Sequence, residues 1–235
     1  MVGDDAKSTT LINARMELIG RIAAGLAHDL NGPIGVILGF TQLAREKLQA
    51  GDKPATTGID EYLKMIESAG ENARGLARDM WDFARADPGA ISEFNFTEVL
   101  ETSARLVAPS LRVAAIEPPA EGELQAQTMT GDRAMWAQAL VGVMIDAPTA
   151  LPGGGSVSWT VGRGSDGATL GVALIASPNE PGASVTPPSP AQDWDCRDSA
   201  RAVIDSLGGT LRPLSGLVGG QSGIEITVPR NAFGV

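Results

Sequence analysis

Residues 16–34 read MELIGRIAAGLAHDLNGPI, and the spacing of their apolar side chains decides what the first half of the chain becomes. Two tracks of period seven run through them. Ile12, Ile19, Leu26, Pro33 and Phe40 form one; Met16, Ala23, Leu30, Ile37 and Ala44 form the other. This is the seam of a coiled coil or helical bundle, with Pro33 its only poor member. It predicts a helix over residues 10–49, roughly 60 Å long, ended by Gly51 and turned by Asp52, Lys53 and Pro54. A second helix follows the same rule. Ile59, Ile66, Ala73 and Met80 lie on one track and Tyr62, Ala69, Leu76 and Phe83 on the other, and Asp87-Pro88-Gly89 stops it. An antiparallel hairpin of two such helices buries little alone, so two hairpins are expected to pair as a homodimeric four-helix bundle.

The same frame places the only histidine of the chain. His28 falls at position f, facing away from the seam, with Asp29 at g and Asn31 at b. Pro33 lacks an N–H and crowds the carbonyl of Asp29, which predicts a bend one turn past the histidine. Gly32, Gly35 and Gly39 each weaken the helix by about 1 kcal/mol relative to alanine. A weakened helix around an exposed histidine suggests a place where a partner approaches closely or the helix bends.

Composition bounds the chemistry. The 235 residues carry 18 basic and 28 acidic side chains, a formal charge of -10. That balance argues against binding nucleic acid or an anionic membrane through a general basic surface. Single copies of cysteine (Cys196) and histidine exclude an intrachain disulfide, a cysteine-rich zinc site and any site needing several imidazoles. No run approaches the roughly 18 apolar residues of a membrane helix. The N-terminal MVGDDAKSTT lacks a signal-peptide pattern, so a cytoplasmic location is expected. Proline is sparse early and dense late: only Pro33, Pro54 and Pro88 precede Pro109. The chain therefore divides into a helical part, residues 1–88, and a second part, residues 89–235.

Residues 16–34 resemble the H-box of sensor histidine kinases. There an apolar, alanine-rich turn precedes His-(Glu/Asp)-Leu-(Arg/Asn)-(Thr/Asn)-Pro-(Leu/Ile), which is matched here at every place but Gly32. The family's dimerisation and phosphotransfer domain is also a dimeric helical hairpin. The resemblance implies that His28 accepts the phosphoryl group through a neutral imidazole. Asp29 would hold the ring tautomer or take the proton, and Asn31 joins them as a candidate catalytic residue. Family members carry Thr or Asn at the place of Gly32, where it is linked to dephosphorylation of the receiver; glycine leaves that activity in doubt.

From Phe94 onward the order resembles the family's ATP-binding α/β sandwich, which makes the expected fold class α+β. Thr97 is a plausible cap for a helix beginning at 95–100. Residues 131–140 are similar to the segment leading into the N-box helix, and 153–161 to the turn and strand after it. Residues 168–175 and 223–228 read as strands, and 199–207 as a helix stopped by Gly208-Gly209. The nucleotide-binding residues implied by the family are mostly missing. Asp146, followed by Ala147 and Pro148, stands where the magnesium-binding Asn belongs. Residues 176–182 lack the adenine-reading Asp, and residues 193–199, with Asp195 and Asp198, replace the glycine-rich lid. Gly219-Gly220-Gln221-Ser222-Gly223 is explained by a hairpin turn.

The reading is a histidine phosphotransferase of a two-component phosphorelay, with His28 passing phosphate between receiver-domain aspartates and a degenerate ATP-binding domain. It needs no cofactor of its own, Mg²⁺ being expected from the receiver. The expected partners are response-regulator receiver domains and a second copy of the chain. A divergent active sensor kinase and a non-enzymatic pseudokinase scaffold remain open. Trp81, Trp136, Trp159 and Trp194 read as packing residues, Cys196 as a spectator thiol, and Glu46, Lys47, Arg74 and Arg78 as solvated charges.

Overall fold

Helix α1 (Val2–Ala50) continues through Pro33 without interruption and starts earlier than the seam pattern predicts. In this computed structural model, residues 2–50, 58–86, 88–119, 126–151, 154–163, 169–178, 195–214 and 222–229 are described. The predicted turn at 51–54 lies outside them. Helix α2 (Ile59–Arg85) returns along α1, and every member of its two predicted tracks is buried or half-buried. Phe40 and Tyr62 meet across the hairpin with ring centroids 5.6 Å apart. Arg15 donates from Nη2 to the Phe83 carbonyl at 2.6 Å, in the last turn of α2, where carbonyls lack helical partners.

On α1 the two tracks behave differently from end to end. Ile12, Met16 (63% exposed) and Ala23 lie on the surface of the protomer, whereas Leu26, Pro33 and Ala44 are buried. The cause is geometric: a straight helix drifts about 20° per heptad from a strict seven-residue repeat. The buried stripe upstream of the histidine is instead Ala14, Leu18, Ile22 and Leu26. Leu18 and Ile22 join one hydrophobic core with Phe96, Leu100, Val107, Trp136 and Leu140 of the second part.

That second part is an α/β sandwich. Strand β1 (Ile91–Asn95) pairs antiparallel with β3 (Thr128–Asp132). Between them run α3 (Phe96–Val113) and the short β2 (Ile116–Glu117). Helix α4 (Arg133–Met144) and the single turn α5 (Ala147–Ala150) follow. Then come β4 (Gly155–Arg163), β5 (Thr169–Pro178), α6 (Asp195–Ser206), β6 (Thr210–Leu214) and β7 (Ser222–Pro229). The main sheet has order β2-β4-β5-β7-β6, with β2 and β4 parallel and the other neighbours antiparallel. Leu170, Val172, Leu174 and Ala176 point inward at alternate positions, as a half-buried strand requires. Phe96 and Trp136 meet edge to face in the core at 5.1 Å.

Several local expectations are corrected. Asn95, not Thr97, caps α3: its Oδ1 accepts from the Thr97 N–H at 3.1 Å. Thr97 is the buried second residue of the helix, where its hydroxyl accepts from Gln127 N. Trp81 is no packing residue; it is 60% exposed with the Arg85 guanidinium over its ring at 4.9 Å. Strands β1, β2, β3 and β6 were not read from the sequence, being two to five residues long and, in β6, interrupted by Pro213. β6 and β7 do pair as an antiparallel hairpin; residues 215–221 between them are outside the described set. Among the described residues, no helix is long and apolar enough to cross a membrane.

Asp132 fastens the turn after α2 to the start of α4. Its carboxylate caps α4 by accepting from Met135 N at 3.0 Å and also accepts from the backbone N–H of Gly89, in the turn after α2. Gly89 has φ +102°, a conformation that favours glycine. Because Asp132 is buried, its removal orphans two backbone donors. Asp132→Ala is expected to cost about 2–3 kcal/mol, measured by denaturant titration, with Asp132→Asn milder.

Candidate functional site

The site is built on α1 between residues 21 and 31, where the helix passes over α3 and α4. Gly25 makes the passage possible. A Cβ there would lie 2.6 Å from Ser110 Oγ, 3.1 Å from Ser110 N and 3.2 Å from Pro109 Cβ, so no side chain fits between the helices. One turn to either side of Gly25, an ion pair crosses from α1 to the sandwich. Upstream, Arg21 Nη2 donates to Asp146 Oδ1 at 2.9 Å and to the Ile145 carbonyl at 3.2 Å. Downstream, Arg112 Nη1 donates to Asp29 Oδ2 at 2.9 Å. A third pair, Arg105 Nε to Asp79 Oδ2 at 2.8 Å, joins α3 to α2.

His28 stands next to this junction and outside it. Its side chain is 73% exposed, and Nδ1 lies 3.2 Å from Asp29 Oδ1. An ionised carboxylate only accepts hydrogen bonds, so the contact calls for a proton on Nδ1 and leaves the Nε2 lone pair free for chemistry. Asp29 is mostly covered and shared between His28 and Arg112. Asn31 is exposed and makes no hydrogen bond to His28 or Asp29. Thus the structure brings His28 and Asp29 together and leaves Asn31 apart. Gly32, Gly35 and Gly39 face open space, with nothing within 4 Å of an added Cβ. Beside Asp29 a cleft of about 330 Å³ opens between α2 and α3, bounded by Asn72, Leu76, Arg105 and Arg112.

The place expected for a nucleotide is of another kind. Between α4, α5 and the main sheet lies a cavity of about 30 Å³ lined by Met144, Ala147, Ala150, Leu174 and Ala176. Its lining is apolar among the described residues, and it is small beside the roughly 300–1,000 Å³ of ordinary ligand pockets. Asp146, which the sequence resemblance sets at the place of a magnesium-binding Asn, is buried and engaged by Arg21. Residues 179–194, and the side chains of 195–199, are outside the described set. Among the described residues no group of three or more His, Cys, Asp and Glu side chains is arranged to hold a metal ion.

Residues 18–89 match the family model of the His Kinase A (phospho-acceptor) domain. Over these residues the chain is histidine kinase-like. Over 172 residues it is 27% identical to the C4-dicarboxylate transport sensor protein DctB of Rhizobium meliloti (strain 1021), covering 72% of this chain and 26% of that protein. It is 24% identical over 150 residues to Sporulation kinase B of Bacillus subtilis (strain 168), covering 63% and 33%. The kinase-like chain therefore spans about a quarter to a third of the length of these curated relatives. Among solved structures, a histidine kinase from Burkholderia phymatum STM815 superposes with a TM-score of 0.49 at 20% identity, over 91% of this chain and 98% of that one.

The histidine was legible from its motif in this kinase-like chain; Arg21 and Arg112 were not. Arg21 sits seven residues before His28, one heptad back on the same face, which is the one local signal that was available. Arg112 lies 83 residues from Asp29, and no pattern near either residue links them.

Proposed function

We propose that this histidine kinase-like chain is a histidine phosphotransferase of a two-component phosphorelay, carrying a phosphoryl group on His28 between receiver-domain aspartates. The observation that carries the reading is the state of Asp146. Where a kinase would present a magnesium ligand to ATP, this carboxylate is buried and taken up by Arg21, beside a cavity of about 30 Å³. His28, by contrast, is open to a partner.

The chemistry needs little else. Nε2 of His28 attacks the phosphorus of a receiver's aspartyl phosphate; the N–P bond forms, the P–O bond breaks, and the donor carboxylate leaves with the electron pair. The proton on Nδ1, held by Asp29, keeps the attacking nitrogen unprotonated, and the Asp29 carboxylate offsets the positive charge as the ring becomes cationic. The same step in reverse delivers the group to a second receiver. Asn31, exposed three residues on, is assigned to the receiver contact. Mg²⁺ comes with the receiver.

The chain acts as a homodimer in the cytoplasm on this reading. Ile12, Met16, Ile34 and Leu38 leave an apolar stripe along the protomer's α1 surface, of the kind that pairing covers. Ile12→Glu with Met16→Glu is expected to halve the mass measured by light scattering; an unchanged dimer would exclude this stripe as the seam.

A sensor-kinase reading is favoured by the relatives, one called a sensor protein and one a kinase. Incubation with γ-labelled ATP and Mg²⁺ separates the two. No label on the chain is the expected result, for the wild type and for Asp146→Asn alike. Label on His28 of the wild type would make the chain a kinase.

A further inference from the structure

We infer that Arg112, on sandwich helix α3, is a positioning residue for the phospho-acceptor: by holding Asp29 it fixes the tautomer of His28. The inference rests on reading His28 as the acceptor. Adjacent residues on a helix point about 100° apart and do not face each other. The hairpin alone therefore does not direct the Asp29 carboxylate toward the ring of His28. In the structure the carboxylate is covered, 20% exposed, while the imidazole is 73% exposed, so Asp29 reaches outward from the junction to touch it. Its other oxygen receives Arg112 Nη1 at 2.9 Å. With Oδ2 anchored there, Oδ1 is presented to Nδ1 at 3.2 Å. The carboxylate then has one defined orientation rather than several rotamers.

The position of Arg112 is itself set by packing. Ser110 and Pro109, two and three residues before it, sit directly against Gly25, one turn before Asp29. The closest approach of the two helices thus brings Arg112 and Asp29 together. Arg112 is 59% exposed, and a pair this open adds little to stability. Its effect is orientation. The sandwich in this way acts on the acceptor histidine. It holds the nucleophile ready through one side chain.

Because His28 is the only histidine, a chain labelled with ¹⁵N-histidine gives one pair of ring nitrogen signals, and a two-bond ¹⁵N–¹H correlation reads its tautomer directly. The wild type is expected to carry the proton on Nδ1. Arg112→Ala should shift the population toward the proton on Nε2 and slow phosphorylation of His28 by phosphoramidate about tenfold, with an unchanged melting temperature. Arg112→Lys should recover part of both, since an ammonium supplies the charge without the planar fork. Asp29→Ala should reproduce the shift, and adding Arg112→Ala to it should change nothing further. An unchanged tautomer in Arg112→Ala overturns the inference, whatever the transfer rate. A shifted tautomer in a protein whose wild type takes no phosphoryl group supports the positioning role and removes instead the reading of His28 as acceptor.

Discussion

Replacing His28 with alanine is expected to reduce phosphoryl incorporation from a phosphorylated receiver to background. The loss should be complete, because the chain has no second histidine to substitute. The fold should not notice. A side chain 73% exposed, with one hydrogen bond to its own neighbour, is of the kind whose replacement changes stability by no more than about 0.5 kcal/mol. The check is paired: acid-labile, base-stable label lost from the variant, and a melting temperature matching the wild type. If label persists, it sits on another residue and His28 is not the acceptor. If the fold collapses, the exposed placement of His28 is wrong.

The second large effect is on structure. Gly25→Leu should drive α1 away from α3. A single added Cβ already meets Ser110 Oγ at 2.6 Å, and behind it stand the Ser110 backbone nitrogen at 3.1 Å and Pro109 Cβ at 3.2 Å. The hydroxyl can rotate away; backbone and a proline ring cannot. Overpacking of this kind costs about 3 kcal/mol, a fall of roughly 6–12 °C in melting temperature for a chain of this size. The ion pairs on either side of the contact, Arg21–Asp146 and Arg112–Asp29, should be lost with it. Gly20→Ala is the control. Nothing lies within 4 Å of that position, so the substitution should stabilise the helix by up to about 1 kcal/mol. Equal melting temperatures for Gly25→Leu and wild type would mean that the helices do not meet there.

These two residues mark what a sequence can and cannot reveal in this chain. His28 was legible because its motif is continuous: Ala27, Asp29, Leu30 and Pro33 all lie within one and a half turns. The hairpin was legible because helical periodicity is local, and on α2 each predicted track residue is covered. On α1 the same period led from the surface at Met16 to the interior at Ala44, because a seven-residue frame rotates slowly around a straight helix. The buried stripe of Leu18 and Ile22 went unread for a further reason: its partners Phe96, Val107 and Trp136 are about 70–120 residues away. The sequence offers Thr97 as the cap where Asn95 takes the role, since both residue types cap helices and only the backbone distinguishes them. The charge pairs that tie Asp29 and Asp146 across the junction span 83 and 125 residues, beyond the reach of any periodicity.

Asp146 stands where the resemblance puts a magnesium-binding Asn; its pairing with Arg21 opposes such a role, because binding a cation there would first require breaking a part-buried ion pair. Asp29 was read as a neighbour of the histidine; its pairing with Arg112 connects that neighbour to the sandwich.

The most direct measurement follows a labelled phosphoryl group in the absence of ATP. A receiver domain labelled on its aspartate is mixed with the full chain, and then with a second, unlabelled receiver. Label leaving the first receiver, residing on His28 and arriving on the second is the predicted sequence, with no transfer through His28→Ala. Label that stays on the first receiver, or leaves it only as inorganic phosphate, would contradict the account.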